Sequence, residues 1–444
     1  MFSNKVHSIK EALMDHIQES EDVVKIDLHT NEKQIEALYI RTISDETVIQ
    51  NLVIKPFYEI ARSDDYLAYL QSSPKIKPFE SEKQTLDELI RGTAILFYQK
   101  SVFLFDSRIE PSNAVQETTT EATIQGPHSA FSESLATNIG LIRKRYPVTS
   151  LSLESKTVGT ISRTKVMILH DTKLANRETV KSVNEFLASI EVEMFQSGEQ
   201  LLDIIKKSNR SLFPVMLVTE RPDRVAVNLA AGKIIILVSG SPFAVILPTV
   251  MKDFMASMAD IYQTYWVGRF LQLLRYIGFV ISIILPGLYV AVTSYNPELF
   301  RVQLALSIAG SRTGIPYPSF VEVLLMLFMM EMLIEASLRL PKAIGPTATT
   351  VGGLILGQAA TEAGLVSNIM IIIVSAVAIS NFVVPINAFS FSIRVTKYFI
   401  LALATLFGLV GVVVGFFMFL AYLVKLDSFG QPFLTLIQSK PSSK

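Results

Sequence analysis

The scarcity of charge in the C-terminal half constrains the fold most. Between Tyr276 and Val424 the only charged residues are Glu298, Arg301, Arg312, Glu322, Glu331, Glu335, Arg339, Lys342, Glu362, Arg394 and Lys397. A helix needs about 20 apolar residues to cross the hydrocarbon core of a bilayer. These long apolar stretches therefore predict an all-α, polytopic membrane domain over residues 276–426. The denser charge before Trp266 predicts a soluble N-terminal half.

About five embedded segments are expected in the membrane domain. They lie at 276–295, 319–330 (which continues into a charged end), 343–361, 368–393 and 398–424. Pro286 and Gly287 predict a helix break inside the first segment. The third segment is uncharged but rich in small residues, which also suits a re-entrant loop. Residues 251–275 are predicted to form an interfacial helix, and 427–444 a C-terminal tail.

The N-terminal half predicts two small tandem α/β subdomains, at 1–110 and 131–250, joined by a polar linker at 111–130. Residues 1–25 are predicted to form an amphipathic helix. In both subdomains a helix ends at a glycine and two apolar strands follow, at Gly92 and again at Gly232. Glycine suits a helix C-cap because it adopts positive φ freely. An equally weighted alternative is that any α/β domain ends helices in this way.

Nothing in the sequence predicts an enzyme, a cofactor site or a metal site. The chain has no cysteine, which excludes disulfides and thiolate ligands. Its five histidines share no metal-ligand spacing, and it has no phosphate-binding glycine motif. The net charge of zero gives no argument for nucleic acid, and Arg143-Lys144-Arg145 is interpreted as a solvated basic helix end. The N-terminus lacks the apolar core of a signal peptide, so we expect residues 1–260 to be cytoplasmic.

Glu331, Glu335 and Arg339 recur every four residues and therefore share one helix face. We expect Glu335 to pair with Arg339 just before Pro341 ends the helix. Glu331 is then expected to face a pore or a subunit boundary, because a membrane-embedded carboxylate needs a cation, a proton or water. The alternative is a salt-bridged helix end at the headgroup level with no role in conduction.

Glu322 and Glu362 complete the set of pore or gating candidates. Glu322 has a second interpretation, which we favour: with Ser319 it forms the Ser-x-x-Glu pattern of a capping box at a helix start. Small residues let membrane helices approach closely, and two Gly-x-x-x-Gly pairs predict such helix packing, within one chain or between copies: Gly353 with Gly357, and Gly411 with Gly415.

Several motifs together resemble the A subunit of the GerA family of spore germination proteins. In the membrane half they are LPGLYVA (285–291), PYPSFVE (316–322), EMLIEASLRLP (331–341), VGGLILGQAATEAGLVS (351–367) and DSFGQPF (427–433). In the N-terminal half they are NIGLIRKR (138–145), FPVMLVTERPDRVA (213–226) and GSPFAVILP (240–248).

The resemblance implies a subunit of a nutrient germinant receptor in the inner membrane of a bacterial endospore. It implies an oligomeric channel, expected to be a pentamer, that releases monovalent cations, together with a polytopic nutrient-binding B subunit and a lipoprotein C subunit. Two other functions stay open: a secondary transporter of a small solute, and a non-conducting scaffold or signalling subunit. The small number of dissimilar spans argues against the transporter.

Overall fold

The computed structural model describes residues 10, 20–99, 101–109, 116–121, 123, 125–209, 211–341 and 344–435. The helix expected over residues 1–25 falls mostly outside these residues. At its described end, a strand begins at Val23 instead. The expected tail is described only as far as residue 435.

The first subdomain is a five-stranded antiparallel sheet with its strands in the order β1-β2-β4-β5-β3. These are β1 (Val23–His29), β2 (Gln34–Ile40), β3 (Ile76–Pro78), β4 (Thr93–Tyr98) and β5 (Ser101–Asp106). Its helices are α1 (Glu46–Ile49), which runs through a π-helical turn (Gln50–Ile54) into α2 (Lys55–Glu59), then α3 (Ser63–Ser72) and α4 (Glu82–Leu89). Alternate apolar residues of the strands pack on Phe57 and Tyr66 of these helices.

The described part of the expected linker is held against the second subdomain. It forms a short pair of strands, β6 (Gln116–Glu117) and β7 (Ser129–Ala130). The turn between them donates backbone N–H groups to Glu220. The segment buries little apolar surface, so hydrogen bonds rather than hydrophobic contacts hold it in place.

The second subdomain repeats the topology of the first. Its helices are α5 (Leu135–Arg145), α6 (Arg177–Ala188), α7 (Glu199–Asn209) and α8 (Pro222–Ala230). Its strands, in the order β8-β9-β11-β12-β10, are β8 (Leu151–Val158), β9 (Thr164–Asp171), β10 (Leu217–Thr219), β11 (Ile234–Val238) and β12 (Ala244–Leu247). The sequence repeat therefore corresponds to a repeated strand order.

The two repeated glycines occupy equivalent places. Gly92 and Gly232 both have positive φ, 99° and 78°. A Cβ on Gly92 would lie 2.4 Å from the carbonyl oxygen of Ile43, and one on Gly232 would lie 2.6 Å from that of Leu174. Each carbonyl follows the second strand of its own sheet, so the same close approach requires glycine in both subdomains.

A buried ion pair joins the two subdomains and corrects the interpretation of the basic helix end. Arg143 donates to Asp22 through Nε at 2.7 Å and Nη2 at 2.6 Å. The two side chains are only 3% and 6% exposed. The two residues before Asp22 also lie against the second sheet, because Ser20 bridges to Leu153 of β8 and the N–H of Glu21 donates to the carbonyl oxygen of Leu153. Sequence alone missed the pair because its partners lie far apart in the chain.

The C-terminal half is helical. Its elements are α9 (Met251–Met255), a 3-10 turn (Met258–Tyr262), α10 (Tyr265–Ser294), a second 3-10 turn (Pro297–Leu299), α11 (Val302–Ser311), α12 (Ser319–Arg339), α13 (Gly345–Glu362), α14 (Asn368–Val383) and α15 (Asn387–Lys425). Among the described residues, α10 and α15 are long and apolar enough to span a membrane.

Two expectations for the start of this half are wrong. The single interfacial helix is instead two short elements and the start of α10, because Ser257 and Asp260 cap a new turn. Pro286 and Gly287 do not break the first helix, since α10 is continuous through them. Proline removes only one backbone N–H, and Gly287 packs closely against Ile400.

The last two expected segments are divided at other places. The segment at 368–393 is interrupted after Val383, next to Pro385. The segment at 398–424 reverses at Gly408, whose φ of 60° and ψ of −137° are not helical. A Cβ on Gly411 would lie 2.0 Å from the carbonyl oxygen of Leu403. α15 is therefore a hairpin of two antiparallel helices, 387–407 and 409–425.

The hairpin returns the chain to the N-terminal half. Ser392, on the first arm, donates to the carbonyl oxygen of Leu212, and Tyr422, on the second, accepts from the N–H of Leu212. If α15 were one straight helix, the 30 residues from Ser392 to Tyr422 would span about 45 Å, and both could not contact Leu212. The tail continues as β13 (Asp427–Ser428) and β14 (Gln431–Pro432), and the buried Phe433 stacks among the aromatic rings of this junction.

The other long helices of the C-terminal half run in alternating directions. α12 begins beside the end of α10, where Ser294 and Ser319 share a hydrogen bond. α13 runs back along α12, with Gly352 against Leu333. α14 then begins at Ser367 beside the first turns of α12 and runs antiparallel to α10.

Candidate functional site

Glu331 is paired with two bases from α15. Lys397 Nζ lies 2.8 Å from Glu331 Oε1, and Arg394 Nε lies 2.6 Å from Oε2. Arg394 Nη2 also donates to Oε2. The carboxylate therefore meets cations inside the chain, and its side chain is 18% exposed. Sequence reasoning listed both bases among the few charges of this half but did not pair them with Glu331.

Glu335 and Arg339 lie further along the same helix and form the expected pair, with Arg339 Nη2 2.8 Å from Glu335 Oε1. Both side chains are exposed, at 55% and 79%. α12 ends at Arg339, two residues before Pro341. The pair thus lies on the surface of the last turn of α12, and any role in conduction or gating stays a prediction.

Glu322 does not form the capping box that its spacing suggested. α12 begins at Ser319 after Pro318, with no side-chain cap. The fully buried carboxylate of Glu322 instead accepts from the N–H and the hydroxyl of Ser367, both at 2.6 Å. Arg312 Nε lies 3.4 Å from its other oxygen. Glu322 therefore joins the starts of α12 and α14 to the end of α11.

One face of α13 is exposed along its whole length. The exposed residues recur at helical spacing and comprise Thr347, Thr350, Val351, Leu354, Ile355, Gln358, Ala359 and Glu362. Polar residues stand at both ends of this α13 face, and three apolar residues stand in its middle. Sequence reasoning named Glu362 but missed Gln358, although their i, i+4 spacing carried that signal.

The glycine pairs pack within the chain. Gly353 lies against Leu333 of α12, and Gly357 lies against Ile371 of α14. Gly411 and Gly415 bring the two arms of the α15 hairpin together, because Gly415 lies against Leu403 and Gly411 against its backbone. Small residues thus allow close contacts here without a second copy.

The Thr-Glu-Arg-Pro-Asp motif connects the linker turn to the segment that precedes α10. The fully buried Arg221 pairs with Asp223 at 2.7 Å and donates to the carbonyl oxygens of Glu121 and Pro127. Tyr262, just before α10, donates to the same Asp223. The motif therefore links three segments that are distant in sequence.

The neighbouring Glu220 holds the turn electrostatically. Its Oε1 accepts from the N–H groups of Thr119, Thr120 and Glu121, at 2.6 to 2.9 Å. Burial raises the pKa of this carboxyl, but the three N–H donors outweigh burial and hold the pKa below its usual value. The carboxylate is thus charged at neutral pH and keeps the turn in place.

No group of three or more His, Cys, Asp or Glu side chains suited to a metal ion occurs among the described residues. The polar clusters that do occur are ion pairs and helix caps. These clusters join separate elements of the fold and fix the positions of the few charges in the C-terminal half.

The comparisons with known proteins agree on one family. The family model described as Bacillus/Clostridium GerA spore germination protein matches residues 11–443. Spore germination protein B1 of Bacillus subtilis (strain 168) is 34% identical over 411 residues, which cover 91% of this chain and 85% of that protein. Spore germination protein GerQA of Bacillus cereus is 32% identical over 440 residues, covering 97% and 87%.

One solved structure is also similar: the crystal structure of the N-terminal domain of the A subunit of the Bacillus megaterium spore germinant receptor GerK3. It matches with a TM-score of 0.43 at 23% identity and covers 55% of this chain and 94% of that chain.

Proposed function

Because the chain belongs to the Bacillus/Clostridium GerA spore germination protein family, as its motifs predicted, we propose that it is the channel-forming subunit of a nutrient germinant receptor. Several copies surround a cation pathway in the inner membrane of the endospore. A B subunit binds the nutrient, a C lipoprotein completes the receptor, and residues 1–260 lie in the cytoplasm.

The exposed α13 face carries the proposal. Gln358 and Glu362 point out of the folded chain from a helix that is otherwise apolar or small. Lipid cannot hydrogen-bond an amide or solvate a carboxylate, so such groups are costly on a lipid-facing surface. A water-filled pathway between copies satisfies both groups, and Glu362 would favour cations there.

The middle of the same face suits a gate. Val351, Leu354 and Ile355 are 49%, 62% and 59% exposed. A ring of such residues in a narrow pathway excludes water, and hydrophobic constrictions of this kind close channels without a physical plug. Small movements of α13 would then open or close the pathway.

The helix directions support a defined topology. We propose six crossings, by α10, α12, α13, α14 and the two arms of α15. An even number returns the C-terminal tail to the side of the N-terminal half, where Ser428 donates to the carbonyl oxygen of Val215. If the N-terminal half is cytoplasmic, the C-terminal tail must be cytoplasmic as well.

Single-channel recording of the purified protein in planar bilayers tests the function. Leu354→Thr should hydrate the constriction and raise the basal open probability. Leu406→Thr is the matched control, because Leu406 is 68% exposed on α15 and away from the α13 face. Glu362→Gln should lower the cation-to-anion permeability ratio, whereas Glu335→Gln should not.

Other outcomes identify the rivals. A complete absence of discrete conductance in every variant favours a scaffold or signalling subunit, and saturable flux without unitary currents favours a transporter. If Glu331→Gln alone altered selectivity, the pathway would follow α12 rather than α13. That result would agree with the sequence-based prediction that Glu331 faces a pore. The contacts of Glu331 with Arg394 and Lys397 favour α13.

A further inference from the structure

The cluster of Glu331, Arg394 and Lys397 contains one carboxylate and two bases. Lys397 is fully buried, and Arg394 and Glu331 are 14% and 18% exposed. Among the residues that the structure describes, Glu331 is the one carboxylate within salt-bridge distance of either base. The cluster therefore carries a net positive charge in an apolar surrounding.

An unbalanced charge of this kind is costly. Removing a cation from water costs several kcal/mol unless an opposite charge compensates it. Glu331 compensates one of the two bases. A second anion would compensate the other base, and apart from Glu331 no described carboxylate lies within salt-bridge distance of either base.

The cluster lies close to the membrane boundary on the side of the N-terminal half. Ser392 touches that half through the carbonyl oxygen of Leu212. Along the helix, Arg394 is about 3 Å and Lys397 about 7.5 Å beyond Ser392. An arginine side chain extends far enough to reach the headgroup region from this depth.

Exposed apolar side chains border the open side of the cluster. The Arg394 guanidinium stacks over the ring of Phe391 at 5.1 Å. Phe391 is 44% exposed, and Val395 on the same side is 55% exposed. A guanidinium beside an apolar, outward-facing stripe matches a lipid, because its planar donors fit phosphate oxygens and the acyl chains lie along the stripe.

We propose that Arg394 binds the phosphate of an anionic phospholipid from the leaflet that adjoins the N-terminal half, while the buried Lys397 holds Glu331. Glu331 orients both bases and leaves one positive charge for the lipid. The inference rests on the membrane placement of the helical half but not on channel activity.

The test is native mass spectrometry of the full-length protein titrated with phosphatidylglycerol or phosphatidylcholine of the same chain length. The unaltered protein should bind phosphatidylglycerol about fivefold more tightly, the factor expected for one additional charge near the surface. Arg394→Gln should abolish the preference, and Glu331→Gln should strengthen it. Arg339→Gln removes an equally positive but 79% exposed side chain and should leave it unchanged.

Opposite effects of Arg394→Gln and Glu331→Gln cannot both arise from a general loss of folding. Equal binding of both lipids by the unaltered protein would overturn the proposal, as would a parallel loss in both variants. Displacement of the lipid by millimolar glycerol phosphate would also overturn it in favour of a small soluble anion. If the unaltered protein showed no lipid preference and Arg394→Gln converted oligomers to monomers, the proposal would be wrong, and the cluster would instead contact a second copy of the chain.

Discussion

Replacing Gly408 by alanine tests the reversal of α15. The backbone there, at φ 60° and ψ −137°, is sparsely populated by residues that carry a Cβ. Holding such a residue in this region costs on the order of 1–3 kcal/mol. The new Cβ would also lie 2.9 Å from Cγ of Tyr295, whose hydroxyl donates to the carbonyl oxygen of Thr405. The ring cannot move without losing that bond, so we expect a total loss of about 3 kcal/mol.

The hairpin can be measured directly because the chain has no native cysteine. Spin labels on Ala388→Cys and Val424→Cys would be about 54 Å apart in a straight helix. In the hairpin we expect about 20 Å, since neighbouring helices pack 8–10 Å apart and the label arms add to that distance. In detergent, Gly408→Ala should lower the midpoint of thermal unfolding by about 3 °C.

Gly310→Ala is the matched control, because a Cβ on this helical glycine meets nothing within 4 Å. It should leave the midpoint unchanged or slightly higher. A label separation near 50 Å in the protein that retains Gly408 would refute the hairpin. Equal midpoints for Gly408→Ala and Gly310→Ala would refute the account of the strain.

Four further predictions concern other parts of the structure. Asp22→Ala leaves Arg143 buried and unpaired, which should cost about 3–5 kcal/mol of stability. The Ser155 amide donates to Glu21 across the same interface, so its hydrogen exchange should accelerate at least about 100-fold. Asp27→Ala, at an exposed site, should leave this exchange rate unchanged. Burial raises the pKa of Asp22, but Arg143 outweighs burial and holds the pKa below its ordinary value of 3.8. The stabilisation by this ion pair is therefore complete above pH 3.8 and should disappear as the pH falls through the lower folded-state pKa. Ser155 exchange that does not accelerate at that pH would contradict this role of the pair. Gln99→Cys, at the turn between β4 and β5, should resist an impermeant thiol reagent in right-side-out vesicles, and its labelling would contradict cytoplasmic placement of residues 1–260. Native mass spectrometry in mild detergents should detect homo-oligomers, and monomers alone in every detergent would count against them.

The sequence predicted most of the N-terminal half because its signals are local. The β4–β5 and β11–β12 hairpins follow from alternating apolar residues around short turns. The repeat at Gly92 and Gly232 was visible as a pattern, and the structure adds that both sheets share one strand order. The basic helix end was misinterpreted because the partner of Arg143, Asp22, lies 121 residues away.

In the membrane half, composition predicted helices but not their ends or directions. The residues on both sides of Gly408 are similarly apolar, so the sequence indicates one long apolar segment. In the structure the backbone reverses in the middle of that segment. The opposite error occurred at Pro286, which marks a break in many helices but lies in a continuous one here. Both outcomes depend on the neighbours: Tyr295 packs on Gly408, and Ile400 packs on Gly287.

The sequence by itself determined the division into a charged α/β half and an apolar helical half, the family, and the short list of charges from which a membrane site can be built. Helical spacing predicted the Glu335–Arg339 pair within one helix, but only the tertiary structure decided which charges meet between helices. Helical spacing placed Glu331 with Glu335 and Arg339, but Arg394 and Lys397 neutralise it from another helix, and Glu322 caps α14 instead of its own helix. The physical reason is that periodicity fixes which residues share a face, whereas the partner of a buried charge is set by which helices pack together over long sequence distances.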